Sequence, residues 1–379
     1  MKKIGIIGGG QLGKMMILDG KRLDNQFYIL DPTENCPAHS IADGHIVADF
    51  NDIDAIKRLA SKVDVITYEF EHISLKALQE LEKMGYKVYP SSKTLGYIQN
   101  KYTQKKWLED NKIPVPRFVP INSLEDLQQI ERTFSFPVIL KTCTGGYDGK
   151  GNAVINNIEE IEEAFSSLGS LKVPLMVEEC IPFIKEVSIL ACRSVNGETA
   201  IFPVAENLHK NSILDETIVP ASISEDTKKE AMEVAEKCLQ AFDAYGMLCI
   251  EMFVTKDGHI LVNELAPRPH NSGHYTIEGC YTSQYEQHIR GILGLPLGNP
   301  DLIGPTVMKN IIGDHDGEAN LLGLEKAYEF RNVKVHIYGK EQVKKGRKMG
   351  HITATGLNLE DVLAQVRGAF DVLSFEDKK

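Results

Sequence analysis

The sequence predicts a mixed α/β and α+β protein in three parts. These are an N-terminal parallel-sheet domain over residues 1–98, a two-lobed domain over 99–298 with a flap lobe at about 115–182, and a small β-rich domain over 299–379. Three observations carry that prediction. Residues 1–98 alternate short apolar runs with helical patterns, the signature of βαβ units around a parallel sheet. Four glycines fall within the seven residues 145–151, directly after an apolar run. Asp257-Gly258, a strong hairpin signal, joins two alternating runs that each carry a glutamate.

In chain order, residues 3–7 form a buried strand, Gly8 to Gly13 a tight turn and residues 11–22 a helix. Strands follow at 26–30, 63–67 and 87–89, with a helix at 74–84. The spacing Gly8-x-Gly10-x-x-Gly13 between strand and helix, with Asp31 downstream, matches a dinucleotide-binding fingerprint. One reading is therefore a nicotinamide-dependent oxidoreductase. The same glycines serve equally well for a phosphate monoester at a helix N-terminus, or for close packing of helix on strand. Lys14 beside the turn suits a phosphorylated ligand.

From Lys101 the pattern changes. Helices are predicted at 101–110 and 123–134, and a buried strand at 137–141 ends on Lys141. The segment from Thr142 through Gly145, Gly146, Tyr147, Asp148, Gly149 and Lys150 to Gly151 is a loop whose N–H groups can close over phosphates. It lacks P-loop spacing, and the bland alternative is a flexible hairpin tip. A strand at 173–178 runs into Glu178-Glu179-Cys180-Ile181, whose backbone can meet an adenine edge. Further strands are expected at 187–193 and 199–204, and residues 206–211 are expected to form a polar loop. A long helix over 224–245 is capped by Ser224, with Glu225 and Asp226 in its first turn.

The hairpin over 249–265 concentrates the chemistry. With Asp257 and Gly258 as turn residues, Lys256 pairs with His259 and Glu251 lies across from Glu264. Opposed side chains in such a pair sit roughly 5 Å apart, and like charges there are destabilising. Two such carboxylates need a cation between them, or one of them takes a proton. Hard oxygen donors with open positions suit Mg²⁺ carrying phosphate oxygens; the bland reading points both glutamates to water. Pro267 to His274 then supplies Arg268, His270, Asn271 and Ser272, an anion-binding set on a stiff backbone. After a helix at 284–293, strands at 306–312, 333–338 and 350–355 and a helix near 358–370 complete the chain. Between two of these strands, residues 339–348 hold five cations and one acid, a local reversal suited to a phosphate.

Composition limits the function classes. No apolar run approaches a membrane span. A net charge of −11 argues against a general nucleic-acid binder. Seven cysteines without a C-x-x-C pair fit reduced thiols in a cytoplasmic protein.

The stretches GIIGGGQLGKMM, DVITYEFEHI, GGYDGKG, NELAPRPHNSGHY and YGKEQVKKGRKMGHIT together resemble the ATP-grasp superfamily over nearly the whole chain. Within it the chain resembles the 5-(carboxyamino)imidazole ribonucleotide synthases. The resemblance implies a pre-ATP-grasp domain before a two-lobed ATP-grasp domain. It also implies ATP and Mg²⁺ as cofactors, bicarbonate and aminoimidazole ribonucleotide as substrates, and a homodimer. By motif, Lys101, Lys141, the 146–152 flap ending on Asn152, Glu178, Glu179, Cys180, Ile181, Glu186, His209, Asn263 and Glu264 would bind ATP. Glu251 and Glu264 would hold Mg²⁺. Gly10, Gln11, Leu12, Tyr147, Asp148, Arg268, His270, Asn271, Ser272, Lys340 and Arg347 would bind the ribonucleotide, with Arg268 and Asn271 at the chemistry. The family position at Lys101 is often arginine, and that at Asn152 often glutamine. A non-catalytic nucleotide sensor on the same fold would be expected to lack the metal carboxylates, and both are present.

Overall fold

A computed structural model describes residues 1–146 and 150–376. Tyr147, Asp148 and Gly149 of the flap lie outside the described residues, as does the end of the chain from residue 377. The N-terminal part is a four-stranded parallel sheet. In spatial order its strands are Gly44–Ile46, Gln26–Leu30, Lys3–Ile7 and Val65–Tyr68. Ile4, Ile6 and Ile7 are fully buried because helices cover both faces of the sheet. The strand expected at 87–89 reduces to one bridge between Ile66 and Val88.

The flap lobe is an antiparallel sheet in the order Phe118–Ile121, Leu175–Glu179, Val138–Thr142, Asn152–Ile155. Its strands pack on the short helices Leu124–Gln128 and Ile161–Ser167. The helix expected over 123–134 ends early and continues as a 3-10 turn over Ile130–Arg132. Ser123 caps it through the Asp126 N–H.

Apart from two small two-stranded pairs, Gly317–Glu318 with Gln342–Val343 and Leu321–Leu322 with Ser374–Phe375, the remaining strands join one nine-stranded sheet. Its main path runs from Ile260–Ala266 through Gly246–Val254, Lys185–Arg193, Ala205–Lys210 and Ile213–Val219. It continues through Thr306–Ile312 and Lys348–Thr355 to Val333–Ile337. The helix Glu225–Phe242 covers one face with Ala231, Ala235, Cys238 and Leu239. The predicted polar loop at 206–211 is instead most of a strand. Glu206 and Asn207 point polar groups into a buried sheet where Lys185, Ser188 and Thr217 satisfy them. That strand turns at Asn211 and Ser212, both at positive φ, 53° and 62°, as a two-residue hairpin requires.

The acidic hairpin departs from its expected turn. Gly258 has φ +84° but Asp257 does not enter the left-handed region. The Gly258 N–H donates to Thr255 O and the Thr255 N–H to His259 O. The loop therefore has three residues, with glycine as the bulged one. That shifts the register by one, pairing Val254 with Ile260 and Met252 with Val262. A second irregularity beside Asn263 shifts it back, so Glu251 does lie across from Glu264. Two compensating one-residue shifts restore the pairing that a simple two-residue turn would produce.

Candidate functional site

The three parts converge on one cleft of about 610 Å³. Its polar wall comprises Lys101, Lys141, Glu251, Asn263, Glu264, Arg268, His270 and Asn271. Glu186 and His209 border it, with Ile139, Phe183 and Phe253 as the apolar wall. Gly146 and Asn152 from the flap, and Gln11 and Leu12 from the N-terminal turn, also line it.

The hairpin delivers two half-buried carboxylates. Burial, and next the charge of Glu264, push the Glu251 carboxyl up to about 7. Burial acts on Glu264 in the same direction, but the Lys101 ammonium outweighs it and holds Glu264 below the usual carboxylate range. Lys101 Nζ lies 2.5 Å from Glu264 Oε1. Its helix starts at that lysine, with Asn100 as cap, and the Lys101 N–H donates to Cys143 O at the foot of the flap. No cluster of three metal-ligating side chains occurs among the described residues. Two hard carboxylates, one of them reluctant to ionise without a cation, fit a divalent ion that completes its shell from ligand oxygens.

Lys141 is buried at the end of its strand and reaches Glu178 Oε1 at 2.6 Å. Lys105, one helical turn beyond Lys101, reaches Glu178 Oε2 at 2.7 Å. Burial raises the Glu178 carboxyl, but the two ammoniums outweigh it and hold it below the usual range. Lys105 also donates to Asn263 O at 3.0 Å, bracing the irregular point of the hairpin. Lys141 is thus held at the cleft by a buried carboxylate that is itself shared.

At the other end, Arg268 forms an ion pair with Glu71, at 2.7 Å to Oε1 and 3.0 Å to Oε2. Gln99 supports Glu71 by donating to its carbonyl. His270 is kept well below its ordinary pKa, first by burial and then by Arg268, so its imidazole is neutral. Its Nδ1 meets Ser272 Oγ at 2.9 Å. At the rim, burial lowers His209, but Glu186 at 3.2 Å outweighs it and raises its pKa.

Several expected residues stand away from the cleft wall. Glu178 is turned inward to its lysines, and Glu179 lies 3.8 Å from Arg117 on the outer side. Cys180 and Ile181 are half-buried beyond the strand end, and Ser272 is fully buried behind His270. Lys340 Nζ donates to Lys348 O at 2.6 Å, and Arg347 to Gln342 O at 3.1 Å. Lys348, at the end of the same basic loop, is the member that lines the cleft. Lys150 and Gly151 follow the undescribed flap tip, with Gly151 at φ +82° and its carbonyl accepting from the Thr142 N–H.

The glycine fingerprint does not form a pyrophosphate cradle. The Gly10 N–H donates to Glu69 Oε1 and the Gly13 N–H to Glu69 Oε2 at 2.7 Å. The Gly9 N–H donates to Asp31 Oδ2 at 2.9 Å. Internal carboxylates already occupy the donors a dinucleotide would need. A Cβ at Gly10 would fall 2.6 Å from Glu69 Oε1, so the glycines make room for that carboxylate. Asp31 is spent on Gly9 and Thr33 N–H groups rather than left for a ribose. Lys14 donates to the carbonyls of Ile337 and Tyr338, tying the first domain to the last.

Sequence reasoning missed Glu71, Lys105, Phe183 and Phe253, and within the basic loop it singled out Lys340 and Arg347 rather than Lys348. Two had a usable signal. Glu71 follows the carboxyl end of a parallel strand, where ligands of such sheets bind, and Lys105 is four residues from Lys101 on one helix face.

Two lobes, one with a glycine-rich flap and a strand-end lysine, closing on opposed glutamates define an ATP-grasp ligase. Residues 106–285 match the family model of the ATP-grasp domain. Residues 1–99 match the ribonucleotide synthetase preATP-grasp domain, and 306–365 the phosphoribosylaminoimidazole carboxylase C-terminal domain. The chain is 44% identical to the N5-carboxyaminoimidazole ribonucleotide synthase of Bacillus subtilis (strain 168), over 92% of this chain and 90% of that protein. The solved N5-carboxyaminoimidazole ribonucleotide synthetase of Thermotoga maritima superposes with a TM-score of 0.90 at 43% identity, covering 100% of both chains. The N5-carboxyaminoimidazole synthase of Aspergillus clavatus, solved with ADP and 5-aminoimidazole ribonucleotide, has a TM-score of 0.90 at 34% identity, over 98% of each chain. This chain belongs to the N5-carboxyaminoimidazole ribonucleotide synthase family. The oxidoreductase reading falls with that membership and with the filled glycine turn. No helix among the described residues is long and apolar enough to cross a membrane.

Proposed function

We propose that the chain carboxylates the exocyclic amine of 5-aminoimidazole ribonucleotide with bicarbonate, at the expense of ATP, as a cytoplasmic step of purine biosynthesis. One observation carries the reading. The Glu251–Glu264 pair, Lys101 and Lys141 share a single cleft with Arg268, His270 and Asn271. In the balanced reaction, a bicarbonate oxygen takes the γ-phosphoryl group and ADP leaves. The carboxyphosphate so formed gives up its carboxyl carbon to the amine nitrogen, phosphate departs and the nitrogen loses one proton.

Lys101 and Lys141 hold the phosphate tail by charge, and Phe253 and Ile139 give the base an apolar wall. Glu186, paired with His209, is placed for a ribose hydroxyl. Mg²⁺, held by Glu251 and Glu264, would neutralise charge on the transferring phosphoryl group. Arg268 is a fixed fork beside the hairpin, aimed at the anion as charge builds. The neutral His270 imidazole accepts the Ser272 N–H at Nδ1, which leaves its Nε2–H, 3.8 Å from Glu251 Oε1, as a donor on the cleft side. Lys340 and Arg347 sit on the basic loop and would steer the 5′-phosphate toward Lys348. By the family resemblance Tyr147 and Asp148 would contact the ribonucleotide, and the protein works as a homodimer.

The test is phosphate release with ATP, Mg²⁺ and bicarbonate, with and without 5-aminoimidazole ribonucleotide. Release that needs both bicarbonate and the ribonucleotide is expected. Full release with formate or an amino acid in place of bicarbonate would overturn the substrate assignment.

The hairpin also predicts a pH dependence. In the folded protein without a cation, Glu251 keeps its proton up to about pH 7, whereas an ordinary glutamate loses it near 4.5. The folded state therefore binds more protons between those values, and stability falls as pH rises across that window. Mg²⁺ requires the ionised form, so its affinity should rise with pH up to about 7 and then level off. Calorimetric titration of the nucleotide-bound protein in two buffers should show about half a proton released per ion at pH 7. Affinity that is flat from pH 6 to 8 would remove Glu251 from the metal site.

A further inference from the structure

Asn310 lies in the strand Thr306–Ile312, is fully buried and does not line the cleft. Its amide forms a reciprocal pair with that of Asn271. Asn271 Nδ2 donates to Asn310 Oδ1 at 2.9 Å, and Asn310 Nδ2 donates to Asn271 Oδ1 at 2.8 Å. Alone, such a pair is ambiguous, because both amides can flip together and exchange roles. A third contact removes the ambiguity. Asn310 Nδ2 also donates to the main-chain carbonyl of Leu214 at 2.8 Å, and a carbonyl only accepts. The Leu214 carbonyl fixes the Asn310 amide, and Asn310 fixes the Asn271 amide.

The consequence reaches the site. Asn271 and Leu214 both line the cleft, from different elements. Asn271 opens a 3-10 turn after Arg268 and His270, and Leu214 belongs to Ile213–Val219. Each Asn271 amide atom gives Asn310 one hydrogen bond, which leaves one N–H and one lone pair for a ligand. Which of these meets a given point of the cleft depends on the orientation that Asn310 imposes. We propose that Asn310 is a positioning residue that orients the Asn271 amide for the ribonucleotide by relaying the direction of the Leu214 carbonyl. This rests on the reading of Asn271 as a substrate contact. It gives the last fifth of the chain a share in the site besides its basic loop.

The test is a double-mutant cycle on the purified full-length enzyme. Asn310→Ala and Asn271→Ala are each expected to raise the KM for 5-aminoimidazole ribonucleotide by about tenfold. The KM for ATP should stay within about twofold, a split that general loosening of the fold would not produce. The double variant should match Asn271→Ala, because Asn310 acts only through that residue. Asn310→Ser, smaller, still polar and too short to hold the Asn271 amide, repeats the measurement if the alanine variant does not fold. A ribonucleotide KM that moves for Asn271→Ala but not for either Asn310 variant overturns the proposal and spares the site. A KM unmoved by Asn271→Ala overturns both. Additive effects in the double variant also overturn the relay.

Discussion

Replacing Glu264 by Gln is expected to cut ribonucleotide-dependent phosphate release about a thousandfold, equivalent to about 4 kcal/mol of barrier. Two effects combine. Gln is a neutral and weaker ligand for a hard cation. It also removes the charge that Lys101 pairs with at 2.5 Å, so that lysine is no longer held at the hairpin. A neutral residue here relieves Glu251 of its neighbour, and the Glu251 carboxyl should move down from about 7. The folded protein should therefore lose little stability while turnover collapses. Thermal scans and phosphate-release rates on the same preparation separate the two outcomes. Near-normal turnover would exclude Glu264 from the metal site.

Glu178→Gln is expected to show the reverse weighting, with a large loss of stability. Wild-type Glu178 is almost fully buried between Lys105 and Lys141. Removing its charge leaves two buried ammonium groups without their shared partner. Breaking a buried pair in this way costs about 3 kcal/mol or more. The sign with pH follows from the lowered carboxyl. Its contribution is complete above the ordinary glutamate value of 4.5 and is lost as pH falls through the lower folded-state value. The deficit of the variant should thus be full at neutral pH and shrink in acid, as urea midpoints at pH 7 and pH 4 would show. An equal deficit at both values would mean that the variant loses packing rather than charge. ATP affinity should also weaken, because Lys141 loses its anchor.

Both predictions rest on contacts that differ in how far the sequence reveals them. The Glu251–Glu264 opposition was legible because alternation and a turn signal act over a few residues. Even so, the real turn has one more residue than expected, and the irregularity at Asn263 cancels it. The N-terminal alternation likewise exposes its sheet, since period and composition are local properties. The strand at Ala205–Lys210 was hidden because its polar side chains look like a loop until Ser188 and Thr217 are seen to satisfy them. Arg268 and Glu71 are separated by 197 residues, and nothing local marks them as a pair. The glycine turn misleads for a related reason. Its spacing reports that something approaches the backbone closely, and only the fold shows that the visitor is Glu69.

The strand Thr306–Ile312 joins the last fifth of the chain to Ile213–Val219 within the same sheet that carries the acidic hairpin. That portion therefore cannot be trimmed away as an appendage. A product ending before residue 306 would leave Ile213–Val219 as a bare border of unpaired amides and carbonyls, open to self-association. The dispensable-looking tail is a structural partner of the reacting centre, and engineered fusions or minimised versions should preserve it whole.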